Sequence, residues 1–240
     1  EYLNRPLSFA VFLLIIISTV ITALTVVFII GYIFIKGVPN LSLDLFSLKY
    51  SSSNQSMLPS IINTVYLTAL TLLLSVPIGI FSAIYLAEYS RKNSFFVKII
   101  NIANETLSGI PSIVYGLFGF LAFVISKKWG YSLLAGVITL AIMVLPLIIR
   151  TSQEAMLGVD NTFREASYGL GAGKLRTVFK IVLPSAMPGI LSGIILAIGR
   201  IVGETAALIY TAGTVPEAAT KLTSSSRTIS VHLYCLLNEG

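Results

Sequence analysis

The sequence predicts an all-α membrane protein, a polytopic helical bundle, from three observations. Hydrophobic residues make up 55% of the 240 residues and charged residues only 11%, and the mean hydropathy is +0.90. Such values lie outside the range of soluble domains. The apolar residues form runs long enough to cross about 30 Å of hydrocarbon. The basic residues collect in particular connecting segments, as membrane topology requires.

Five apolar runs are predicted to span the membrane within one transmembrane domain that covers residues 1–240. The runs are residues 8–35, 60–87, 107–126, 131–149 and 187–212. The polar segments 36–59 and 213–240 are predicted to be external loops, and 150–186 is predicted to be a cytoplasmic loop. Because five spans that begin in the cytoplasm end outside it, we expect a sixth span after Gly240.

Lysine and arginine are distributed unevenly between the two sides of this topology. Nine of the 16 fall on one side, namely Arg5, Arg91, Lys92, Lys98, Arg150, Arg164, Lys174, Arg176 and Lys180. Six fall on the other side, namely Lys36, Lys49, Lys127, Lys128, Lys221 and Arg227. The positive-inside rule therefore predicts a cytoplasmic N-terminus. Because topology accounts for the net charge of +6, we expect no nucleic-acid partner.

The loop 150–186 contains a glycine-rich run that does not match a nucleotide-binding loop. Tyr168 stands where the Walker pattern requires glycine, and Leu175 stands where it requires a hydroxyl residue that holds magnesium. The dinucleotide pattern fails as well, because Lys174 occupies the position of its third glycine. We therefore expect no nucleotide on this loop.

Local patterns in the same loop predict two short helices around a glycine turn. Thr162 and Glu165 fit a capping box at the start of the first helix. The second helix has an apolar stripe formed by Leu175, Val178, Phe179 and Val182. Pro184 and Pro188 are predicted to end that helix and begin the fifth span. The pair fits either a docking element or an interfacial helix on lipid headgroups.

Ionisable residues inside an apolar span are costly and indicate function. Arg200 and Glu204 lie four residues apart near the middle of the fifth predicted span, so they should share one helix face. Either they form a structural ion pair, or Arg200 presents a planar cation to an oxyanion while Glu204 holds the guanidinium. Thr205 is assigned to the same substrate path. Arg150 is a second cation of that path or an ordinary topological anchor.

Small residues on the fifth span predict close packing against neighbouring helices that the sequence does not identify. The two rows are Gly189, Gly193 and Ala197, and Gly199, Gly203 and Ala207.

Polar and proline residues mark further positions in the second and third spans. Pro77 and Pro111 either kink these spans or free carbonyls that line a polar passage. Ser60, Asn63 and Thr64 open the second span, where they either meet an incoming anion or bond within the bundle.

In the same loop, Glu165-Ala166-Ser167 is followed after three residues by Gly171 and after nine more by Ile181-Val182-Leu183-Pro184. This spacing resembles the EAA motif, with the pattern EAA, x3, G, x9, I-x-L-P, found in permease subunits of ATP-binding-cassette importers. Ser167 is the one departure, because it replaces the third small residue. The resemblance implies a type I ABC importer permease fold. It also implies that the loop is a coupling helix seated on a separate ATPase subunit.

By this resemblance the ATPase-docking surface consists of Glu165, Ala166, Ser167, Gly171, Lys174 and Arg176. Lys174, Arg176 and Lys180 would pair with acidic residues of the ATPase. A role for Glu165 in helix capping alone is the alternative. The resemblance implies that ATP and magnesium bind to the partner ATPase. This chain would hold no cofactor and no metal, and it would not be an enzyme.

A narrower resemblance covers nearly the whole chain. The segments GRIVGETAALIYTAG, SGIPSIVYGLFGF and NTVYLTALTLLLSVPIGIFSAIYLAEY look like the A-type permease of phosphate-specific importers. The resemblance implies a multi-pass protein of the bacterial inner membrane, with a homologous permease, an ATPase dimer and an extracytoplasmic phosphate-binding protein as partners. Two alternatives stay open. The cargo could be another oxyanion such as sulfate or molybdate, or the chain could be a secondary anion carrier or channel.

Overall fold

The computed structural model describes residues 6–90 and 95–239, and the regular elements in these ranges are helices. The helices are α1 (Pro6–Gly37), α2 (Leu58–Ile84), α3 (Phe95–Ser108), α4 (Ser112–Gly119), α5 (Leu133–Leu157), α6 (Asn161–Gly169), α7 (Lys174–Thr177), α8 (Leu183–Gly203), α9 (Ala206–Thr211) and α10 (Ile229–Glu239). Turns of π-helix continue α2 over Tyr85–Tyr89, continue α4 over Phe120–Ser126, and join α7 to α8 over Val178–Val182. Arg5, Arg91 and Lys92 of the topology count lie outside the described residues.

The chain divides into two units, residues 1–46 and residues 47–240. The first unit contains α1 and two short 3-10 turns at Val38–Asn40 and Leu43–Phe46. α1 has 32 residues, so at about 1.5 Å per residue it exceeds the hydrocarbon thickness. Its threonine hydroxyls bond to carbonyls four residues earlier at 2.8 Å, which satisfies them within the helix. The predicted span 8–35 lies within this helix.

The core of the second unit forms where α2, α5 and α8 pack together with α4 and α9. Leu67, Leu140 and Leu208 are completely buried there, and Ile201 is 1% exposed. A second cluster lies near α6 and contains Ala83, Ile84, Met156, Val178, Val182 and Ile190. The two clusters hold the ends of the long helices in fixed positions.

Among residues 6–90 and 95–239, four helices are long and apolar enough to cross a membrane, and there is a fifth span if α3 and α4 are counted together. The bend between these two helices is 100°. It falls at Gly109–Pro111, because Pro111 disfavours helical geometry at the residue before it. The third predicted span, 107–126, is therefore not one straight helix, and the connector before it contains α3. By contrast, Pro77 lies inside α2 without interrupting it.

The fifth predicted span differs most from the structure. Helix is continuous from Lys174 to Gly203, 30 residues, and the chain then breaks before α9. The prediction that Pro184 and Pro188 separate the loop from the span is wrong. Pro184 lacks an N–H group and would clash with the carbonyl four residues earlier, and the π-helical turns at Val178–Val182 lie where that strain falls.

The structure identifies the neighbour of the first small-residue row. A Cβ on Gly193 would collide with Thr151, and a Cβ on Gly189 would lie 2.7 Å from the Ala155 Cβ. α8 therefore approaches α5 closely along this row. The second row is not continuous, because Ala207 lies on α9, and a Cβ on Gly199 would meet no atom within 4 Å.

Residues 213–240, predicted as a loop, contain an extended segment followed by α10. Asn63 of α2 holds this segment: its Nδ2 donates to the carbonyls of Glu217 at 2.9 Å and Arg227 at 3.1 Å, and its Oδ1 accepts from the Ala219 amide at 2.8 Å. Thr64 Oγ1 accepts from the Ile229 amide at 2.9 Å. Asn63 and Thr64 thus bond within the bundle.

Candidate functional site

The EAA-motif loop folds as α6, a tight turn and α7. Asp160 caps α6, because its carboxylate accepts from the Thr162 amide at 2.9 Å. This hydrogen bond lowers the pKa of the Asp160 carboxyl below its usual value. The predicted capping box at Thr162 and Glu165 is therefore wrong, since the N-cap is Asp160, two residues before Thr162, and the helix begins at Asn161. The turn needs glycine at position 171, where φ is +82°.

A buried hydroxyl pair joins the two helices of the loop. Ser167 is 4% exposed and Thr177 is completely buried, and their hydroxyl oxygens lie 2.8 Å apart. Thr177 also donates to the Gly173 carbonyl at 3.2 Å. Ser167, the residue that departs from the EAA pattern, thus joins α6 to α7 through a hydrogen bond, and its side chain is buried.

Arg164 fixes α6 to the membrane helices. Its Nε and Nη2 donate to Glu88 Oε1 at 3.0 and 2.7 Å, and the pair is largely buried. Nη2 and Nη1 also donate to the carbonyls of Met156 at 2.8 Å and Val159 at 2.7 Å. One guanidinium therefore connects α6 to the end of α2 and to the end of α5.

The sequence interpretation missed this contact. It treated Arg164 only as one of the cytoplasmic basic residues. The available signal was Glu88, the one acidic residue between Asp44 and Glu105, which directly follows the second apolar run.

The rest of the loop presents an exposed face. Glu165, Ala166 and Arg176 are exposed, and the apolar Leu170 and Leu175 are 90% and 66% exposed. A groove of about 300 Å³ lies between α6 and the start of the long helix. It is lined by Ser167, Leu170, Gly171, Ala172, Arg176, Lys180 and Ile181. Exposed apolar side chains and basic side chains therefore lie next to one another on this face.

Lys174 is less free than its neighbours on this face. Its ammonium lies 4.9 Å from the centroid of the Tyr89 ring, a cation–π contact with the end of α2. The predicted apolar stripe is divided: Val178 and Val182 are buried, whereas Leu175 points away from the core.

Arg200 lies in the last turn of the long helix, three residues before its end at Gly203. A basic residue there is stabilised by the helix dipole. Arg200 lines a groove of about 470 Å³ together with Leu147, Ser192, Ile195, Leu196 and Gly199. Arg200 is thus a cation on a largely apolar wall, on which Ser192 is the other polar side chain.

Glu204 does not hold Arg200. The two residues form no ion pair within 4.0 Å, because the helix ends between them and Glu204 is extended, with ψ of 129°. Its buried carboxylate instead accepts from the Ala207 amide at 3.1 Å, which caps α9. Thr205 lies at the same break, with φ of −122° and ψ of −55°. The assumption of one shared helix face is therefore wrong.

Arg150 lies in α5 and forms an exposed i,i+4 pair with Glu154 at 3.0 Å. Both residues line a separate groove of about 230 Å³ with Asn101, Asn104, Glu105, Gln153 and Leu157. This groove shares no lining residue with the groove at Arg200. The structure therefore does not bring Arg150 together with the other predicted substrate residues.

Comparison with known proteins identifies the family of this chain. Residues 75–231 match the family described as binding-protein-dependent transport system inner membrane component. The chain is 37% identical over 185 residues to the probable ABC transporter permease protein YqgI of Bacillus subtilis, with 76% of this chain and 63% of that protein covered. It is 36% identical over 198 residues to the phosphate transport system permease protein PstA of Haemophilus influenzae, with 82% and 70% covered.

A third relative, the phosphate transport system permease protein PstA of Pasteurella multocida, is 40% identical over 179 residues, with 74% of this chain and 63% of the relative covered. The chain thus spans between 63% and 70% of the length of these three relatives. It is a multi-pass membrane protein. The chain belongs to the binding-protein-dependent transport system inner membrane component family, and within that family it groups with the PstA-type permeases.

Proposed function

We propose that this chain is a permease subunit of an ATP-driven importer for inorganic phosphate in the bacterial inner membrane, with its N-terminus in the cytoplasm. A homologous permease, an ATPase dimer and an extracytoplasmic phosphate-binding protein complete the importer. ATP and magnesium bind to the ATPase. The observation that supports this most strongly is the exposed EAA-motif face, which Arg164 connects to the ends of two membrane helices.

The continuous helix from Lys174 to Gly203 suggests how motion is transmitted. Its first residues contribute to the docking face, and Arg200 lies in its last turn. At about 1.5 Å per residue, 26 residues separate these positions by about 39 Å along the axis. We infer that this continuous helix passes a displacement of its first turn on to its last turn. Displacement of α7 by closure of the ATPase dimer would therefore displace Arg200.

Arg200 is the residue assigned to the anion. Its guanidinium is permanently charged and offers planar donors that match a phosphate oxyanion. Transport requires that the two conformations differ in affinity for the anion, and a cation at the end of a moving helix meets that requirement. Glu204 acts through α9: by capping it, Glu204 fixes where the helix that carries Arg200 ends.

The experiment is transport in proteoliposomes that contain the complete importer. We expect uptake of radiolabelled phosphate that requires ATP, and ATPase activity that rises when phosphate and the binding protein are added. Sulfate and molybdate at equal concentration should compete weakly. Strong competition by either anion would reassign the cargo, and phosphate flux in liposomes that lack the ATPase would instead indicate a secondary carrier or channel.

A further inference from the structure

Arg227 is a buried cation that the proposed transport role of Arg200 does not use. It lies in the segment between α9 and α10 and is 3% exposed. Its guanidinium carbon lies 4.6 Å from the centroid of the Tyr50 ring, so one face of the guanidinium is covered by an aromatic ring. Tyr50 in turn makes an edge contact with His232, with ring centroids 5.9 Å apart.

The Nε and Nη2 edge of the Arg227 guanidinium is buried and has no hydrogen-bond partner. Nε and Nη2 of Arg227 are inaccessible and form no hydrogen bond. Within the described ranges, no carboxylate lies within 4.0 Å of this guanidinium. A buried charge without a counter-charge or hydrogen-bond acceptor is strongly unfavourable. An anion that accepts from both groups would remove that cost.

Another arginine of this chain uses the same pair of nitrogens to bind a carboxylate. Nε and Nη2 lie side by side in arginine, and they form the fork that receives planar or tetrahedral oxyanions. At the other end of α2, Arg164 uses these two nitrogens to bind the Glu88 carboxylate. Arg227 presents the equivalent fork without such a partner.

Hydroxyl groups in this region are also buried without a hydrogen-bond partner. They belong to Ser226 and Thr228, the residues on either side of Arg227, and to Ser60, one turn before Thr64 on α2. α2 is joined to the segment because Asn63 donates to the Arg227 carbonyl. Hydroxyls can donate to an oxyanion, as the guanidinium does. The set therefore matches a tetrahedral oxyanion better than it matches a second aromatic or apolar group.

We propose that the Nε and Nη2 edge of Arg227 is a second oxyanion-binding point, distinct from Arg200. It lies at the same end of the bundle as Arg200, because Ser230 at the start of α10 hydrogen-bonds to the Val202 carbonyl near the end of α8. Tyr50, which lies over the guanidinium, and the segment 213–228 that contains Arg227 have no helical structure. The anion is held there before it reaches Arg200. The choice of phosphate as this anion rests on the proposed function.

The experiment measures the thermal unfolding midpoint of the purified membrane importer without its binding protein as inorganic phosphate is added, at constant ionic strength with chloride. A ligand that binds the folded state raises the midpoint by an amount that grows with the logarithm of the ratio of ligand concentration to Kd. We expect Arg227→Lys to weaken the apparent phosphate affinity of the Arg227 point at least tenfold, since lysine keeps the charge but loses the fork. Arg200→Gln should leave a residual phosphate response, which Arg200→Gln with Arg227→Lys removes. Lys221→Gln, an exposed cation of the same segment, should titrate as the wild type does.

Four outcomes would contradict one or both proposals. If Arg227→Lys titrates as the wild type, the second binding point is excluded and the proposed function stands. If Arg200→Gln alone removes the whole response, the second point is likewise excluded. If the assembled wild-type importer gives no phosphate response at all, phosphate is excluded at both positions and the proposed function fails as well. A change in the phosphate-free midpoint with an unchanged titration would assign Arg227 a purely structural role.

Discussion

Arg164 and Glu88 lie 76 residues apart in the sequence and form a largely buried ion pair, with Nη2 and Oε1 2.7 Å apart. Arg164 belongs to the first helix of the EAA-motif loop, and Glu88 to the end of the second membrane helix. The same guanidinium also donates to the Met156 and Val159 carbonyls, at the end of α5. The loop is therefore attached to the helices that it is proposed to move, through charge-assisted hydrogen bonds in addition to the chain itself.

We expect Glu88→Gln to destabilise the protein by about 1.5–3 kcal/mol, because a buried guanidinium would lose its counter-charge. Phosphate uptake should fall further than the amount of folded protein does, since force from the loop would be transmitted less well. Thermal unfolding and uptake per assembled complex measure the two effects. Glu154→Gln removes the acid of the exposed Arg150 pair and serves as the control, with no measurable change expected. Equal effects of the two variants would contradict a special role for the buried pair.

We expect Arg200→Gln to reduce phosphate uptake at least tenfold while the complex still assembles. The physical reason is that glutamine is polar but shorter and uncharged, so the anion loses the cation on the groove wall. Uptake at equal protein level in the membrane is the measurement. Lys128→Gln, which removes a cation at the turn before α5, should transport normally. Normal uptake by Arg200→Gln would remove this residue from the anion path.

We expect Lys174→Glu with Arg176→Glu to release the ATPase from the membrane fraction. Both cations lie at the exposed start of the long helix, so charge reversal would repel acidic residues of a docked partner. Co-purification of the ATPase is the measurement. The control, Lys127→Glu with Lys221→Glu, changes the net charge equally at exposed positions outside the loop. If the ATPase co-purifies equally with both double variants, the docking assignment is wrong.

We expect Gly193→Ala and Gly199→Ala to have opposite effects on stability, although both add one methyl group to the same helix. At Gly193 the methyl group would collide with Thr151 of α5, and overpacking of this kind costs about 1–3 kcal/mol. At Gly199 a Cβ meets no atom within 4 Å, so alanine improves helix propensity by up to about 1 kcal/mol. Thermal unfolding of the two purified variants is the measurement. A loss of similar size at both positions would contradict the close approach of α5 and α8.

We expect Asp160→Ala to increase the hydrogen exchange of α6 amides near neutral pH, because the helix loses its cap. The folded-state pKa of Asp160 is lowered by the Thr162 amide. Its contribution is therefore complete above the unfolded pKa, about 3.9, and is lost as pH falls through the lower folded value. The difference between wild type and Asp160→Ala should shrink at the acid end of the range. A difference that grows on acidification would contradict this cap.

The sequence predicted the apolar helices well because their signal is local. Runs of apolar residues need only length to indicate a span, and the glycine turn needs only the residues around Gly171. The predictions failed where an interaction outside the local pattern decided the outcome. Pro184 was expected to end a helix, but π-helical turns absorb it and packing of Val178 and Val182 in the core maintains the helix.

The candidate site shows the same difference between local patterns, which the sequence predicts, and long-range contacts, which it does not. Spacing identified the EAA motif and singled out Arg200 as an arginine in an apolar run. Spacing also assigned Glu204 to the same face, which holds only for an uninterrupted helix. Because the helix ends at Gly203, Glu204 caps α9 and Arg200 faces a groove without it.

The sequence by itself determined the class of protein, the approximate spans and the position of the EAA motif, because hydropathy and short-range spacing are properties of neighbouring residues. Tertiary structure decided which charges are paired, buried or exposed. The environment of a charge depends on residues far along the chain, as Arg164 depends on Glu88 and as Arg227 depends on Tyr50. Arg150, Arg164 and Arg227, which entered the topology count only as positive charges, therefore occupy three different states: an exposed pair, a buried pair, and a buried cation whose Nε and Nη2 have no partner.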